Sequence, residues 1–209
     1  KNIKIINGKP LVYYSFITAK KTKIFSNIFV SSDSENFLNI CKKFGVNDLV
    51  KRPKILSSDK SGKIEAIKHA LISAEKKYNT EYDYVIDLDA TSPLRTVDDI
   101  KKAYKKFLKS NSSNLFSVTN SNRSPYFNMV EIKNSKVQLV KKSKKQYLRR
   151  QDTPITYDLN ASIYIWKRES LINNTKLIQN KTSIFVMPKS RSIDIDDTLD
   201  FKIVSQLLK

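Results

Sequence analysis

An α/β fold, with a mostly parallel sheet and helices on both faces, is predicted by two features of this 209-residue chain. The first is the stretch Tyr82 to Arg95. Tyr84, Val85, Ile86 and Leu88 form a compact apolar run that reads as a strand buried on both faces, and Asp87 and Asp89 stand where such a strand stops. Pro93 forbids continuation and Thr96 opens a strongly periodic helix, so strand, loop and helix follow one another. The second feature is alternation of strand-like and helix-like segments as far as Asn120, which implies parallel strands joined by right-handed crossovers. In open α/β sheets ligands bind at the carboxyl ends of strands, which makes Asp89 and its loop the first site candidates. Asp87 and Asp89 would equally serve as turn residues that hydrogen-bond the loop, and spacing alone leaves both readings open.

The elements follow in order. Asn7 and Gly8 mark a turn, and Pro10 suits the first turn of a helix through Val12, Phe16 and Ala19. Ile28 to Ser31 is a short strand. Asp33 or Ser34 caps a helix whose Phe37, Leu38, Cys41 and Phe44 share a face, and Gly45 ends it. Leu49 and Val50 give a brief strand before Arg52 and Pro53. The polar loop that follows, with Ser57, Ser58, Ser61 and Gly62, has groups able to grip a ligand, though solvent loops share that composition. Ile64, Ile67, Leu71 and Ala74 make an amphipathic helix feeding the strand at Tyr84, and Ile100, Ala103, Tyr104 and Phe107 give the clearest helical stripe of all. Leu115 to Val118 is another strand.

Beyond Asn120 the pattern changes. Phe127 to Ile132 and Val137 to Val140 read as an antiparallel hairpin, and Lys141 to Pro154 is polar and basic with no core stripe. We therefore expect a single domain over 1–209 with a hairpin and arm at 120–156 that needs a partner surface, and so an oligomer contact. Asn160 to Trp166 and Ile184 to Met187 return to strand character, with a short helix from Arg168 to Ile172 between them. A helix through Leu199, Phe201, Val204 and Leu207 closes the chain.

Composition narrows the function classes. The formal charge of +19 would ordinarily suggest nucleic acid or anionic membrane, but the lysines fall in scattered pairs on the polar sides of helices, so neither partner is expected. Apolar runs are strand-sized and none spans a bilayer. The single cysteine, Cys41, sits in a helical pattern as core, which fits a reducing cytoplasm; zinc has no cysteine and histidine cluster to bind it.

The second carboxylate cluster is Ser192-Ile193-Asp194-Ile195-Asp196-Asp197. In extended backbone Asp194 and Asp196 point to one side, and two hard oxygen ligands suit a magnesium ion on nucleotide phosphates. Capping of the last helix would equally account for Asp196 or Asp197, and Asp197 reads as that cap; spacing leaves the metal role of Asp194 with Asp196 open.

Leu88 to Thr96 (L-D-A-T-S-P-L-R-T), Arg150-Gln151, Asn160 to Tyr164 (N-A-S-I-Y), S-I-D-I-D, the opening K-N-I-K with N-G-K-P-L, and R-P-K-I-L-S-S-D resemble, in order and spacing, the sugar-acid cytidylyltransferases, the CMP-sialic acid synthetases. The form D-L-D-A with Y-D-L-N-A-S-I-Y-I looks especially like their bacterial CMP-legionaminic acid branch. The resemblance covers essentially the whole chain. It implies a Rossmann-like nucleotide-diphospho-sugar-transferase fold, a cytoplasmic homodimer whose arm reaches the partner's active site, and a reaction that couples CTP to a nine-carbon sugar acid with Mg²⁺ and releases pyrophosphate. By motif match Lys1, Asn2, Arg52, Ser58, Ser61 and Lys63 would hold the nucleotide, and Asp194 and Asp196 the metal. Asp89, Thr91, Arg150, Gln151, Asp158 and Asn160 would line the sugar-acid pocket, with Arg150 suited to a carboxylate through its two-pronged fork. Catalysis would rest on Lys1, Asp89 and Asp196; either aspartate could take the hydroxyl proton or bind metal.

Departures from the family pattern accompany the match. The family's glycine-rich nucleotide loop precedes the K-N motif, so that loop and its strand are expected upstream of Lys1. Asp89 stands where sialic acid synthetases usually carry Gln, Asp158 where they often carry Arg, and Lys63 where Ser is frequent. The rival readings are a transferase of the same fold acting on 3-deoxy-manno-octulosonic acid or a sugar 1-phosphate, and a non-catalytic basic binding protein.

Overall fold

The computed structural model describes residues 2–57 and 62–208; Lys1, Ser58 and Ser61 lie outside the described residues. The order is β1 (Ile5–Ile6), β2 (Lys9–Pro10), α1 (Leu11–Thr22), β3 (Phe29–Ser32), α2 (Glu35–Lys43), β4 (Asp48–Lys51), α3 (Lys63–Tyr78), β5 (Tyr84–Leu88), α4 (Val97–Lys109) and β6 (Asn114–Asn120). Then come β7 (Val130–Lys133), β8 (Lys136–Leu139), β9 (Tyr157–Lys167), α5 (Arg168–Asn173), β10 (Thr182–Val186) and α6 (Thr198–Leu207), with short 3-10 turns at Lys54–Ser57, Arg150–Asp152 and Lys189–Arg191.

Local chemistry sets these ends. Ser34 caps α2 by accepting from the Phe37 N–H at 3.2 Å, and Gly45, at φ +85°, takes the left-handed turn that stops it. Thr96 with Asp99 forms a capping box at α4, and Asp197 with Asp200 forms another at α6, as the sequence led us to expect for Asp197. Lysines gather in the last turns of α1, α2, α3 and α4, where the helix dipole favours cations.

The main sheet has the order β10-β6-β9-β5. β6 and β10 pair in parallel, while β9 runs antiparallel between β6 and β5, so β5, β6 and β10 share one direction. β3 and β4 form a separate parallel pair. On one face Ile67 and Leu71 of α3 and Leu171 of α5 pack on Phe116, Tyr164 and Trp166; on the other, Ile100, Ala103 and Phe107 of α4 pack on Leu115, Ile163 and Ile165. Helices thus cover both faces.

One strand corrects the sequence reading. β5 was expected to be buried on both faces, yet most of it is only half-buried, because it is the last strand of its sheet and its outer edge borders a cavity of about 600 Å³ between β3 and β5. The deeply buried strands are β6 and β9, whose apolar residues meet a helix layer on each side. The β6–β9 register jumps between Phe116↔Tyr164 and Val118↔Leu159, and Ala161 sits at φ +47° in the resulting bulge. That bulge redirects Asn160.

β7 and β8 pair antiparallel through Asn134 and Ser135, at φ +51° and +60°, the geometry of a two-residue primed turn. Pairing starts at Val130 rather than Phe127, because the N–H groups of Phe127, Asn128 and Met129 all turn back to the Ser124 carbonyl. Val130, Ile132 and Val137 are 62–79% exposed, so the hairpin contributes nothing to the core. Among the described residues no helix is long and apolar enough to cross a membrane.

Candidate active site

The site is assembled at the carboxyl end of β5 around a buried cation. Arg95 is 2% exposed. Its Nε–H donates to Ser162 Oγ at 3.0 Å, Nη1 to Ser15 Oγ at 2.7 Å, and Nη2 to the Asp89 carbonyl. Ser15 Oγ donates to that same carbonyl at 3.0 Å, so α1, β9 and the loop after β5 converge on one guanidinium. Burial pulls the Arg95 pKa down to about 10, against the charges of Asp89, Asp87 and Asp194, and leaves it protonated at neutral pH.

The same loop recruits the second acidic segment. The Ile195 N–H donates to the Thr91 carbonyl at 2.9 Å, so Thr91 acts here through its backbone. Ile195 is buried, and Asp194 and Asp196 flank it, half-buried and exposed respectively. Asp194 Oδ1 is buried and has no hydrogen-bond partner. Asp196 and Asp197 both direct backbone N–H groups to the Asp200 carboxylate, at 3.0 and 3.1 Å.

A two-pronged ion pair holds this segment in place: Arg191 donates to Asp99 at 2.7 and 2.8 Å while Asp99 also caps α4. Burial raises the Asp99 pKa, but the Arg191 and Thr96 hydrogen bonds outweigh it and the net shift is downward. A depressed carboxylate stabilises the fold above its unfolded pKa of about 3.9 and loses that contribution as pH falls through the lower folded value. Asp99→Ala should therefore cost about 3 kcal/mol at pH 7, a figure kept at the low end for breaking such a pair because Arg191 is a third exposed. Urea unfolding at pH 7 and pH 3 checks this, since the gap between wild type and variant should narrow at the lower pH. A gap independent of pH would refute the assignment.

Lys63 closes the acidic face. Its Nζ lies 2.9 Å from Asp87 Oδ2 and 2.5 Å from Asp89 Oδ2, and 3.8 Å from the Tyr164 ring centroid. Burial pulls the Lys63 pKa down, yet Asp87 and Asp89 outweigh it and the ammonium is held more firmly charged than usual. Burial raises the Asp89 carboxyl above the ordinary range, with Asp87 and Asp194 adding to it and Lys63 opposing. Asp87, Asp89 and Asp194 against Lys63 and Arg95 leave one net negative charge, a setting that favours a cation.

Asn2, Arg52, Lys63, Asp87 and Asp89 all line the cavity between β3 and β5. Arg52 is held by Ser57 Oγ at 2.9 Å and lies 3.8 Å from Asp33. Arg150 donates to the carbonyls of Ser121 and Asn122 at the end of β6, next to Asp158, which accepts from the Ser121 hydroxyl. Arg150, Gln151 and Asp158 are exposed.

Asn160 is tied into the frame of the site. It is 3% exposed: its Oδ1 accepts from Ser117 at 2.7 Å, its Nδ2 donates to Ser192 at 3.0 Å, and its carbonyl accepts from Ser92 at 3.1 Å. The bulge at Ala161 turns the side chain inward, where it braces the loop and the acidic segment from beneath. Arg95, Ser15, Asp99 and Arg191 were missed. Arg95 offered one signal, a charged residue ending an otherwise apolar P-L-R run between strand and helix.

Solved structures define the fold first. The chain superimposes on CMP:2-keto-3-deoxy-manno-octonic acid synthetase complexed with CTP with a TM-score of 0.69 at 15% identity, covering 100% of this chain and 91% of that one. A 4-diphosphocytidyl-2C-methyl-D-erythritol synthase follows at 0.67 and 9%, covering 100% of this chain and 95% of that one. The fold is that of α/β nucleotidyltransferases. The chain belongs to the cytidylyltransferase family, whose sequence model matches residues 1–204.

Curated relatives agree over the full length. CMP-N,N'-diacetyllegionaminic acid synthase of Campylobacter jejuni subsp. jejuni is 42% identical over 208 residues, 100% of this chain and 88% of its own length. Post-translational flagellin modification protein B of Campylobacter coli is 41% identical over 209 residues with the same coverage. Pseudaminic acid cytidylyltransferase of Campylobacter jejuni subsp. jejuni is 31% identical over 214 residues, 100% of this chain and 89% of its own length.

Proposed function

We propose that this nucleotidyltransferase activates a nine-carbon nonulosonic acid of the legionaminic type with CTP, in the cytoplasm, giving the CMP-sugar acid and pyrophosphate. The observation that carries the reading is the contact of Asp89 and Lys63 on the wall of one cavity that Asn2 and Arg52 also line, with the charge of Asp194 near enough to act on Asp89. Relatives named for CMP-legionaminate and pseudaminate chemistry supply the substrate class.

Among the described residues no group of three or more ligating side chains is placed to hold a metal by itself. Magnesium asks for less, one or two carboxylates alongside substrate phosphates. Asp194, with an unpartnered buried oxygen, and Asp196 beside it fit that need. When bound there, Mg²⁺ would neutralise charge on the phosphate oxygens of the transition state.

The chain's own residues do the rest. Arg52 and Asn2 hold the nucleotide along the cavity, and the loop braced by Arg95 fixes Asp89 against the reacting hydroxyl. That hydroxyl oxygen attacks the α-phosphorus in line, the bond to the β-phosphate oxygen breaks, and pyrophosphate leaves. Asp89 accepts the hydroxyl proton, a role suited to a carboxyl that burial and neighbouring carboxylates make more basic. Arg150 orients the sugar carboxylate with its fork. The exposed Val130, Ile132 and Val137 of the hairpin, with Leu148 and Ile155 of the arm, are covered by a second copy in this reading.

Incubation with CTP, Mg²⁺ and a panel of sugar acids tests it. Pyrophosphate should appear with a legionaminic-type acid, and not with 3-deoxy-manno-octulosonic acid or a sugar 1-phosphate, and light scattering should give twice 24.1 kDa. Bound CTP with no release from any nonulosonic acid would reject the transferase assignment.

A further inference from the structure

We propose that Lys63 is a positioning residue. Its ammonium is the resident counter-ion of Asp87 and Asp89, and it keeps a divalent cation off both, confining the ion to the Asp194 side. The inference rests on the reading that a divalent cation works at this site.

Geometry is the first argument. The ammonium touches Asp87 Oδ2 at 2.9 Å and Asp89 Oδ2 at 2.5 Å and rests on the Tyr164 ring, so two carboxylates and an aromatic face hold a side chain that is otherwise 40% exposed. Asp87 Oδ2 and Asp194 Oδ1 are both buried without a hydrogen bond, but Asp87 Oδ2 has the Lys63 ammonium at 2.9 Å. Of the three carboxylates, Asp87 and Asp89 share that cation, and Asp194 Oδ1 is left to offer.

Location is the second. Lys63 is the first residue of α3, the end where a helix dipole disfavours positive charge, while the terminal lysines of α1, α2 and α4 lie in last turns. Nothing in the helix asks for a lysine there; the carboxylates across the cavity do. A metal ion on Asp89 would have to displace a charge already at contact distance from two partners. The consequence for the reaction is a division of labour. Asp194 is left for the metal, and Asp89 for the proton.

Binding of Mn²⁺ alone, without nucleotide, followed by the electron-spin-resonance signal of the free ion, separates the possibilities. In the otherwise unchanged protein, Asp194→Asn should weaken Mn²⁺ binding at least tenfold, and Asp89→Asn less than threefold. Lys63→Met should tighten binding roughly tenfold by uncovering two carboxylates, and that gain should persist with Asp194→Asn and vanish with Asp89→Asn. Lys63→Arg, which keeps the charge, should behave as wild type; a merely structural lysine would not show that rescue in metal affinity. The proposal is overturned if Asp89→Asn weakens binding as much as Asp194→Asn, or if folded Lys63→Met binds Mn²⁺ no more tightly than wild type. Should Lys63→Met not fold, the comparison of the two aspartate variants decides alone. Absence of pyrophosphate release would overturn the transferase reading and leave the Mn²⁺ result standing.

Discussion

Asp194→Asn is expected to lower the rate of pyrophosphate release from CTP by on the order of 10³ while leaving the melting temperature within a few degrees of wild type. The substitution keeps size and shape but removes the charge. Asp194 Oδ1 has no protein hydrogen bond to lose, so the fold has little at stake. The reaction has much more, because charge stabilisation by a metal amounts to several kcal/mol and each 1.4 kcal/mol is a factor of ten in rate. Raising Mg²⁺ concentration should restore part of the loss if Asp196 still offers a ligand. A variant that turns over within tenfold of wild type would remove Asp194 from the metal's coordination and move attention to Asp87 and Asp89.

Arg95→Met should show the opposite balance, a large loss of stability together with a loss of activity. Three oxygens lose a donor at once, those of Ser15, Ser162 and the Asp89 carbonyl, in a place where water cannot replace it. Removal of the charge also leaves Asp87, Asp89 and Asp194 facing Lys63 alone. Together these should cost about 3 kcal/mol, or roughly 10 °C in melting temperature for a chain of this size. Arg95→Lys keeps the charge but reaches only part of the fork, and should recover less than half of the loss in urea denaturation. Unfolding within 1 kcal/mol of wild type for Arg95→Met would show that the loop does not depend on this guanidinium.

Lys63 and Asp89 illustrate what a linear sequence conceals. In the sequence they are separate residues, one opening a helix and one ending a strand, and nothing local joins them. In the structure they are one ion pair at 2.5 Å. The carboxylate finds its positive partner 26 residues away, which offsets its charge at the cavity wall.

Legibility in the sequence followed the range of the interactions. Apart from the two-residue strands β1 and β2, where Pro10 stands in extended backbone before α1 rather than in its first turn, helix and strand existence, the caps at Ser34, Thr96 and Asp197, the hairpin and the two acidic clusters could be read, because periodicity and capping are set within a few residues. Only the tertiary structure decided that β9 runs antiparallel between β5 and β6, that β5 ends its sheet, and that Asn160 braces the site from within. The same holds for Arg95, whose three acceptors lie on β9, on α1 and in the loop after β5, and for Asp99 with Arg191, separated by 92 residues. Which strand lies beside which, and which buried charge answers which, depends on contacts between distant segments that local pattern does not encode.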